Sequence, residues 1–378
     1  MHIRKWALRL WMLPLALSMV IATPPSLSAS PNGYGQTNLV SDLPGIAKFV
    51  DPNLVNPWGI AFSPTSPLWI ADNGTGLATL YNGAGVTIPL VVTIPPPTGQ
   101  TFTAAPDGQV FNPNPANFGG SHFIFSAEDG TISAWSAGTS AVLKVDDSTT
   151  NAVFKGLALA TNGSNSYLYA TDFHNNAIDV FDKNFSPVTL TGSFTDPSLP
   201  AGYAPFGIQA SGGKLYVTYA VQDALKHDDM ACPGCGIVDV FNTDGTFVQR
   251  LISNGALNSP WGLAWAPGNF GKFSGDLLVG NFGDGTINAF DPVTGIQIGT
   301  IDGGTGMPLV NDGLWGLAFG NGAQGTTTNT LYFTAGLNGE SDGLFGAIVT
   351  PEPGTLTLLG TGFMSLIGYG WRRGKRNS

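Results

Sequence analysis

The chain has 378 residues, of which 15 are Lys or Arg and 25 are Asp or Glu, so its formal net charge is −10. Seven of the basic residues lie in the first nine or the last seven positions, which leaves eight in the body against 24 acidic residues, a charge near −16. Arg250 is the only arginine of that body, and without a basic stripe a nucleic acid partner is excluded. With 52 Gly, 27 Pro and 43% apolar residues, the composition favours a turn-rich all-β fold that still has material for a core.

The first 29 residues have the three parts of a secretory signal peptide. Arg4, Lys5 and Arg9 form a basic flank, residues 10–22 are apolar, and small residues lead to Ala29. An N-terminal core helix would explain the apolar run but not the order of the three parts. We therefore predict export, with residues 1–29 removed.

Six similar segments repeat along residues 30–350. They are "PWGIAF" at Pro57, "PDGQVF" at Pro106, "FKGLAL" at Phe154, "PFGIQA" at Pro205, "PWGLAW" at Pro260 and "LWGLAF" at Leu314. Their glycines are separated by 49, 48, 51, 55 and 54 positions. A period near fifty is typical of a blade array, so the sequence predicts an all-β, six-bladed β-propeller.

Each repeat continues with a second apolar strand, such as "LWIAD" at Leu68, and a third strand after a tight turn, such as "DGTISAW" at Asp129. Fourth strands are predicted at "TIPLVVTI" from Thr87, "PVTLTGSF" from Pro187 and "FVQRLIS" from Phe247. The last repeat lacks a fourth strand of its own. We predict that "GIAKFV", residues 45–50, supplies it and closes the ring, which removes an open sheet edge.

The aromatic residue before the glycine of each inner strand is predicted to fill the core while the glycine lets backbones approach. This assigns Trp58, Phe206, Trp261 and Trp315 to the core. Lys155 and Asp107 occupy the same position in the remaining two repeats.

Polar residues end the second strands, which all reach the same face of a propeller. The candidate ligand-binding mouth consists of Asp72, Glu128, Asp172, His174 and Asn281, with Asn73, Asp129, Tyr219 and Glu340 beside them. Carboxylate and amide oxygens suit Ca²⁺, and a neutral polyhydroxylated ligand is the other candidate. Asp and Asn also cap turns with their own side chains, so a purely structural role stays open.

Cys232 and Cys235 are the only cysteines, in the loop between the second and third strands of the fourth repeat. In an oxidising compartment we predict a disulfide between them. A metal clip with His227, Asp228 and Asp229 is the alternative, although one Cys-x-x-Cys is half of a zinc site.

The segment "LYATDFHNNAIDVFD", residues 168–182, resembles the repeats of NHL-type six-bladed propellers. That resemblance implies a fold and leaves the function open, because propellers include enzymes and binding platforms. No Gly-x-Ser-x-Gly, His-Glu-x-x-His or P-loop motif is present, so no catalytic residue is assigned. We predict a binding or structural propeller. The alternative is a lactonase- or lyase-like enzyme with a divalent metal at the mouth and His174 as acid or base.

The chain ends with Pro351, Glu352 and Pro353, an apolar segment at 356–369 and a basic end that includes Arg372 and Arg373. This order resembles a PEP-CTERM sorting signal, with residues 351–378 as the signal. The resemblance implies an exosortase-like processing enzyme, transient association with the inner membrane of a Gram-negative bacterium, and delivery to the surface or the extracellular polysaccharide matrix. A permanent anchor is the alternative, but the apolar segment is short for a span of about 20 residues.

Overall fold

The structure is a computed structural model that describes residues 33–350. The predicted signal peptide and sorting signal, residues 1–29 and 351–378, lie outside the described residues. The described chain forms six β-sheets arranged around a central axis, which confirms the predicted all-β, six-bladed propeller. No helix in this part of the chain is long and apolar enough to cross a membrane.

The strands are short and evenly spaced, as the repeat predicts. In chain order they are β1 (Gly35–Ser41), β2 (Phe49–Val50), β3 (Pro57–Ala61), β4 (Leu68–Asp72), β5 (Leu77–Tyr81), β6 (Val92–Thr93), β7 (Pro106–Phe111), β8 (Phe123–Ala127), β9 (Thr131–Trp135), β10 (Val142–Asp146), β11 (Phe154–Asn162), β12 (Asn165–Asp172), β13 (Ala177–Phe181), β14 (Tyr203–Ser211), β15 (Lys214–Gln222), β16 (Asp229–Met230), β17 (Ile237–Asn242), β18 (Phe247–Ser253), β19 (Pro260–Trp265), β20 (Leu277–Asn281), β21 (Ile287–Phe290), β22 (Gln297–Thr300), β23 (Leu314–Phe319), β24 (Leu331–Gly336) and β25 (Asp342–Val349). A four-residue helical turn, α1 (Leu337–Glu340), and three 3₁₀ turns, Phe118–Gly120, Ser148–Thr150 and Gly271–Phe273, lie between them.

Each blade begins at the axis with an inner strand. Blade 1 is β3 to β6, blade 2 is β7 to β10, blade 3 is β11 to β13, blade 4 is β14, β15, β17 and β18 with β16 at the side of β15, and blade 5 is β19 to β22. Blade 6 is β23, β24, β25, β1 and β2 in that order. We call the side where inner strands begin the front face and the side where they end the rear face.

The N-terminal strand closes the ring, but it is β1 and not the predicted "GIAKFV". Gly35 to Ser41 pair antiparallel with β25, whereas residues 45–50 contribute only Phe49 and Val50, which pair parallel with β1 at the outer edge. Burial explains the difference. Val40 is fully buried between blades 6 and 1, while Ile46 and Val50 are exposed.

The predicted fourth strands are only partly correct. "FVQRLIS" forms β18, and the segment from Thr87 forms only the two-residue β6. The segment from Pro187 forms no strand, so blade 3 has three strands. After Val188 the segment leaves blade 3 and binds the turn of blade 4, where Gly192 N–H donates to Asp244 O at 2.8 Å.

Every inner strand has a shift of register at its repeat glycine and the residue before it, as between Pro57 and Ile60 in β3. Such bulges re-aim a side chain, here the residue before the glycine. The glycines are needed because a Cβ at Gly59, Gly207 or Gly316 would collide with the backbone of the next inner strand. The bulge and the glycine together allow the side chains of Trp58, Lys155, Phe206, Trp261 and Trp315 to reach the axis.

A cavity of about 630 Å³ follows the axis behind this ring of glycines. The inner strands line it with backbone and apolar side chains such as Leu157, Leu263 and Leu317. It belongs to the rear half of the channel. The front half is filled by side chains and forms the candidate site.

Candidate functional site

Aromatic rings fill the axis just in front of the glycines. Trp58 stacks on Trp315 with ring centroids 3.4 Å apart, and Trp261 meets both rings edge-on at 5.8 Å. Phe206 of blade 4 lies 5.8 Å from Trp315 of blade 6. The contacts of Trp58 with Trp261 and of Phe206 with Trp315 join blades that are not neighbours, so the rings cross the axis. They form a plug, which confirms their predicted core role.

Lys155 is the charged residue that blade 3 places among these rings. Its side chain is buried, its Nζ lies 5.2 Å from the ring of Trp58, and its main-chain oxygen accepts a hydrogen bond of 2.8 Å from Trp261 Nε1. Nζ pairs with Glu128 Oε1 of blade 2 and lies 3.2 Å from Asp228 Oδ1. A buried ammonium thus sits on the plug with carboxylates on two sides.

Asp228 comes from the long loop between β15 and β17 of blade 4. Its Oδ1 is also 2.9 Å from His227 Nδ1, so the loop brings an acid and an imidazole to the axis. Within the same loop, the N–H of Asp223 donates a backbone hydrogen bond of 2.8 Å to Asp228 O. The loop therefore carries part of the site over the front face.

Blades 1 and 6 complete the arrangement. Asn73 Nδ2 donates to Glu128 Oε2 at 2.8 Å, and Asn56 Nδ2 lies 3.2 Å from Asn73 Oδ1 and 3.3 Å from Glu340 Oε1. Trp315 Nε1 donates to Asn56 Oδ1 at 3.1 Å, which ties this chain of amides to the plug. We call the residues Asn56, Asn73, Glu128, Lys155, His227, Asp228 and Glu340 the mouth network. It joins blades 6, 1, 2, 3 and 4.

The network shifts the ionisation of its members. Burial would lower the pKa of Lys155, but Glu128 and Asp228 outweigh it and raise that pKa, so the ammonium stays charged. The hydrogen bond from His227 lowers the pKa of Asp228, and the same contact raises the pKa of His227. Burial, with repulsion from Glu128, raises the pKa of Glu340 to about 7. Glu340 is thus poised to gain or lose a proton near neutral pH.

A divalent cation would have to compete with Lys155. Ligand atoms of Glu128, His227 and Asp228 lie within 4.8 Å of one another, which is a geometry that could hold a metal ion. The Lys155 ammonium already contacts both carboxylates of this group. In this arrangement the ammonium of Lys155 is the cation that balances these two carboxylates.

The other predicted mouth residues lie elsewhere. Asp72 is fully buried at the end of β4, and burial raises the pKa of its carboxyl well above the usual range. Asp172 Oδ1 accepts from the amides of Val153 at 3.2 Å and Asn175 at 3.1 Å, so it shapes its own turn.

Asn281 likewise serves a local turn, because its Nδ2 donates to Ala256 O at 2.7 Å. His174 follows Asp172 in the turn after β12 and is half-buried. Among the described residues, none of these side chains bonds to the mouth network. Their role as ligands stays a prediction, and of the predicted set Glu128, Asn73 and Glu340 are the ones that converge.

Cys232 and Cys235 are joined by a disulfide in the structure. The loop is also held by backbone bonds, since Cys232 N–H donates to Asn258 Oδ1 at 2.8 Å and Gly234 N–H donates to Leu257 O at 2.9 Å. His227 faces Asp228 instead of the two sulfurs.

Sequence reasoning assigned no site role to Lys155 and considered His227 and Asp228 only beside the cysteines. Two signals could have found the mouth network. Lys155 replaces the aromatic residue found in four of the six repeats, and Glu128 and Glu340 are the only glutamates between residues 33 and 350.

Residues 349–376 match the PEP-CTERM protein-sorting motif, which confirms the interpretation of Pro351, Glu352 and Pro353. The motif implies export, sorting to the cell envelope or surface, and processing by an exosortase, which is a membrane enzyme.

Solved structures with the same fold include a soluble aldose sugar dehydrogenase from Escherichia coli and a streptogramin B lyase. The first has a TM-score of 0.54 and 13% identity and covers 84% of this chain and 100% of its own. The second has a TM-score of 0.52 and 12% identity, with coverage of 85% and 99%. At these identities the likeness shows the fold alone.

Two viral proteins are much more similar in sequence. Uncharacterized protein L690 of Acanthamoeba polyphaga mimivirus is 34% identical over 329 residues, covering 83% of this chain and 85% of the viral protein. Uncharacterized protein R648 of the same virus is 35% identical over 327 residues, covering 82% and 78%. The chain therefore belongs to the family of these two mimivirus proteins, as a six-bladed β-propeller that carries a PEP-CTERM sorting motif.

Proposed function

We propose that this protein is an exported binding propeller, built of NHL-like repeats, that takes a neutral polyhydroxylated ligand at the mouth network. Residues 1–29 would act as the signal peptide and residues 356–369 as a transient inner-membrane segment. The exosortase-like system of a Gram-negative bacterium would then deliver the propeller to the cell surface or the extracellular polysaccharide matrix. The PEP-CTERM motif supports the export step.

The observation that carries the binding role is Lys155. At the same position, four inner strands place Trp or Phe in the plug. Replacing such a ring by a buried ion pair is seldom a gain in stability, because both charges lose their hydration. A residue that departs from the repeat without a benefit to stability points to a functional site.

The chemistry of the mouth favours a neutral ligand. Lys155 is already paired with Glu128, so it offers no free positive charge to an anion. Asn56, Asn73 and Glu340 supply amide and carboxyl groups that hydrogen-bond to hydroxyls, and the tryptophans behind them supply apolar surface. Polar groups beside aromatic rings are the usual composition of a small-molecule site.

The direction of the strands keeps this mouth accessible during sorting. β25 runs from the front face to the rear face and ends at Val349, which pairs with Gly35 at the start of β1. The described chain therefore begins and ends on the rear face, and a membrane segment that follows Val349 would leave the front face uncovered.

The binding role can be tested by calorimetry with the full-length chain in detergent and oligosaccharides from the exopolysaccharide of the producing cells. We expect saturable heat that Glu340→Gln reduces at least tenfold. Asp291→Asn, in an exposed turn of blade 5, is the matched control and should bind like the wild type. Equal binding by all three proteins would place the ligand elsewhere.

The sorting role needs a separate test in the producing cells. Replacing Pro351, Glu352 and Pro353 by alanine should leave unprocessed protein in the membrane fraction, while Thr355→Ser should be processed normally. If the alanine variant reaches the surface with the same mass as the wild type, the motif does not direct processing.

A metal-dependent enzyme is the second candidate, because Glu128, His227 and Asp228 have the geometry of an ion site. In that case Lys155→Met should increase the affinity for Ca²⁺ or Mn²⁺, since the competing ammonium is removed. Stoichiometric metal in the purified wild-type protein would favour this candidate over the binding propeller.

A further inference from the structure

Blade 3 has an empty strand position. The other five blades have at least four strands, and blade 3 ends at β13, with Pro187 making only an isolated bridge to Phe181. The segment that should have formed the fourth strand bends away to blade 4, where Phe194 N–H donates to Gly245 O at 2.9 Å. This leaves a slot between β13 and residues 189–194.

The edge of β13 that faces the slot has unpaired backbone groups. Val188 N–H donates to Val180 O at 2.8 Å, so the even-numbered residues of β13 direct their backbone groups away from β12. Ile178 therefore points its N–H and C=O at the slot, and in the described chain no neighbouring strand meets them. Such an edge is a template for another strand.

The slot is large enough to hold a ligand, and both apolar and polar residues line it. Its cavity measures about 650 Å³, and apolar side chains of Ile178, Val180, Leu190 and Phe194 line its length. Thr150, Thr189 and Ser193 also line the slot.

Three carboxyl groups line the same slot, namely Asp147, Asp172 and Asp179. The carboxyl group of Asp172 is occupied by the amides of its turn, whereas the carboxyl groups of Asp147 and Asp179 have no hydrogen-bond or ion-pair partner among residues 33–350. Burial, with repulsion from Asp172 and Asp147, raises the pKa of Asp179 to about 6. The slot thus combines strand-pairing groups with negative charge that the described chain does not neutralise.

We propose that the blade 3 slot is a docking site for an extended segment of a partner polypeptide that carries Lys or Arg. The segment adds as a short fourth strand by pairing with Ile178, and its basic side chains pair with Asp179 and Asp147. Backbone pairing supplies the binding mode, and the carboxylates supply the preference for a basic partner.

The test uses the full-length chain in detergent and a fluorescent peptide of about eight residues that alternates Val or Thr with Lys. Anisotropy measures binding, and residue-resolved hydrogen exchange measures protection of the Ile178 amide, because the odd-numbered residues of β13 already pair with β12. One control peptide has Glu in place of Lys, and another has Pro at alternate positions, which removes the N–H groups needed for pairing.

We expect saturable binding of the Lys peptide alone, with protection of the Ile178 amide and loss of affinity at high salt. Asp147→Asn and Asp179→Asn should each weaken binding about threefold, and together about tenfold, as for partly exposed charge pairs. Asp291→Asn is the matched control and should leave binding unchanged.

Three results would overturn the proposal. The first is no binding of the Lys peptide, which would make the two carboxylates a guard against edge-to-edge association. The second is binding without protection of the Ile178 amide, which would place the peptide elsewhere. The third is protection of the Ile178 amide that is already present without peptide and is lost when residues 351–378 are deleted, which would make the basic tail of the chain the occupant.

Discussion

The Nζ atom of Lys155 lies 3.2 Å from Oδ1 of Asp228, although the two residues belong to different blades and are 73 positions apart. The second partner of the ammonium, Glu128, is far less exposed, with 12% of its side chain accessible against 65% for Asp228. Because solvent weakens an exposed pair much more than a buried one, these two contacts should contribute unequally.

Removing the ammonium of Lys155 should destabilise the folded protein. Lys155→Met leaves the carboxylate of Glu128 buried without a counter-ion, and we expect the free energy of unfolding to fall by about 3 kcal/mol. Asp228→Asn removes the exposed partner of the same ammonium and should lower the free energy of unfolding by less than about 1 kcal/mol. Urea unfolding of both variants measures the difference.

The double variant Lys155→Met/Glu128→Gln tests the cause. If the loss comes from the unpaired carboxylate, the double variant should be more stable than Lys155→Met alone, because no buried charge is left. Additive losses from the two substitutions would show that Lys155 stabilises the plug by packing alone.

Ring closure by β1 predicts different effects for two valines that are close in sequence. Val40 is fully buried between blades 6 and 1, whereas Val50 is 53% exposed at the edge. Val40→Ala should lower the free energy of unfolding by about 2 kcal/mol, and Val50→Ala by less than about 0.5 kcal/mol. Chemical denaturation decides this, and the opposite ranking would restore "GIAKFV" as the closing strand.

The repeat predicted the fold because the residue pattern of each blade depends on contacts that recur in every blade. Aromatic–glycine pairs, such as Trp58 and Gly59, follow from the crowding of strands at the axis, and one sequence is enough to see their spacing. The closing strand was harder to predict, because "GIAKFV" is the more apolar segment, whereas "GQTNLVS" is mostly polar and the burial of its Val40 depends on two distant blades.

The site was less predictable for the same reason. Asp72, Asp172 and Asn281 follow equivalent strands, and the repeat gives no means to separate residues that shape a turn from those that reach the axis. The contact of Asp228 with Lys155 depends on the path of a long loop, which no periodicity encodes. The departure of Lys155 from the aromatic pattern and the rarity of glutamate, at Glu128 and Glu340, were the signals visible in the sequence.

Glu340 should make stability depend on pH. Its pKa is about 7 in the folded protein because burial and the charge of Glu128 disfavour its ionised form, and it is 4.5 ordinarily. The folded state therefore keeps this proton up to a higher pH than the unfolded state does. The contribution of Glu340 to the free energy of unfolding is complete below pH 4.5 and is lost as the pH rises through 7. Allowing for its partial exposure, we expect a loss of about 2 kcal/mol over that range.

Glu340→Gln should flatten the pH dependence between 4.5 and 7, as measured by urea unfolding at several pH values. Asp291→Asn is the control, because backbone hydrogen bonds from Thr294 and Val293 lower the pKa of Asp291, which titrates below this range. If Glu340→Gln leaves the slope of the free energy of unfolding against pH unchanged, the slope comes from other buried carboxyl groups. Asp229 is one of these, because burial raises its pKa to about 6.

The disulfide should affect the mouth loop less than the contacts around it do. Cys232 and Cys235 close a very short loop, so their bond restricts the unfolded chain by about 2 kcal/mol at most. The backbone bonds of Cys232 and Gly234 to Asn258 and Leu257 persist without it, and we expect Cys232→Ser/Cys235→Ser to keep Asp228 beside Lys155. Hydrogen exchange over residues 223–236 tests this, with dithiothreitol-treated wild type as the matched control. Rapid exchange throughout the loop in both samples would show that the disulfide, and not the backbone contacts, positions Asp228 at the mouth.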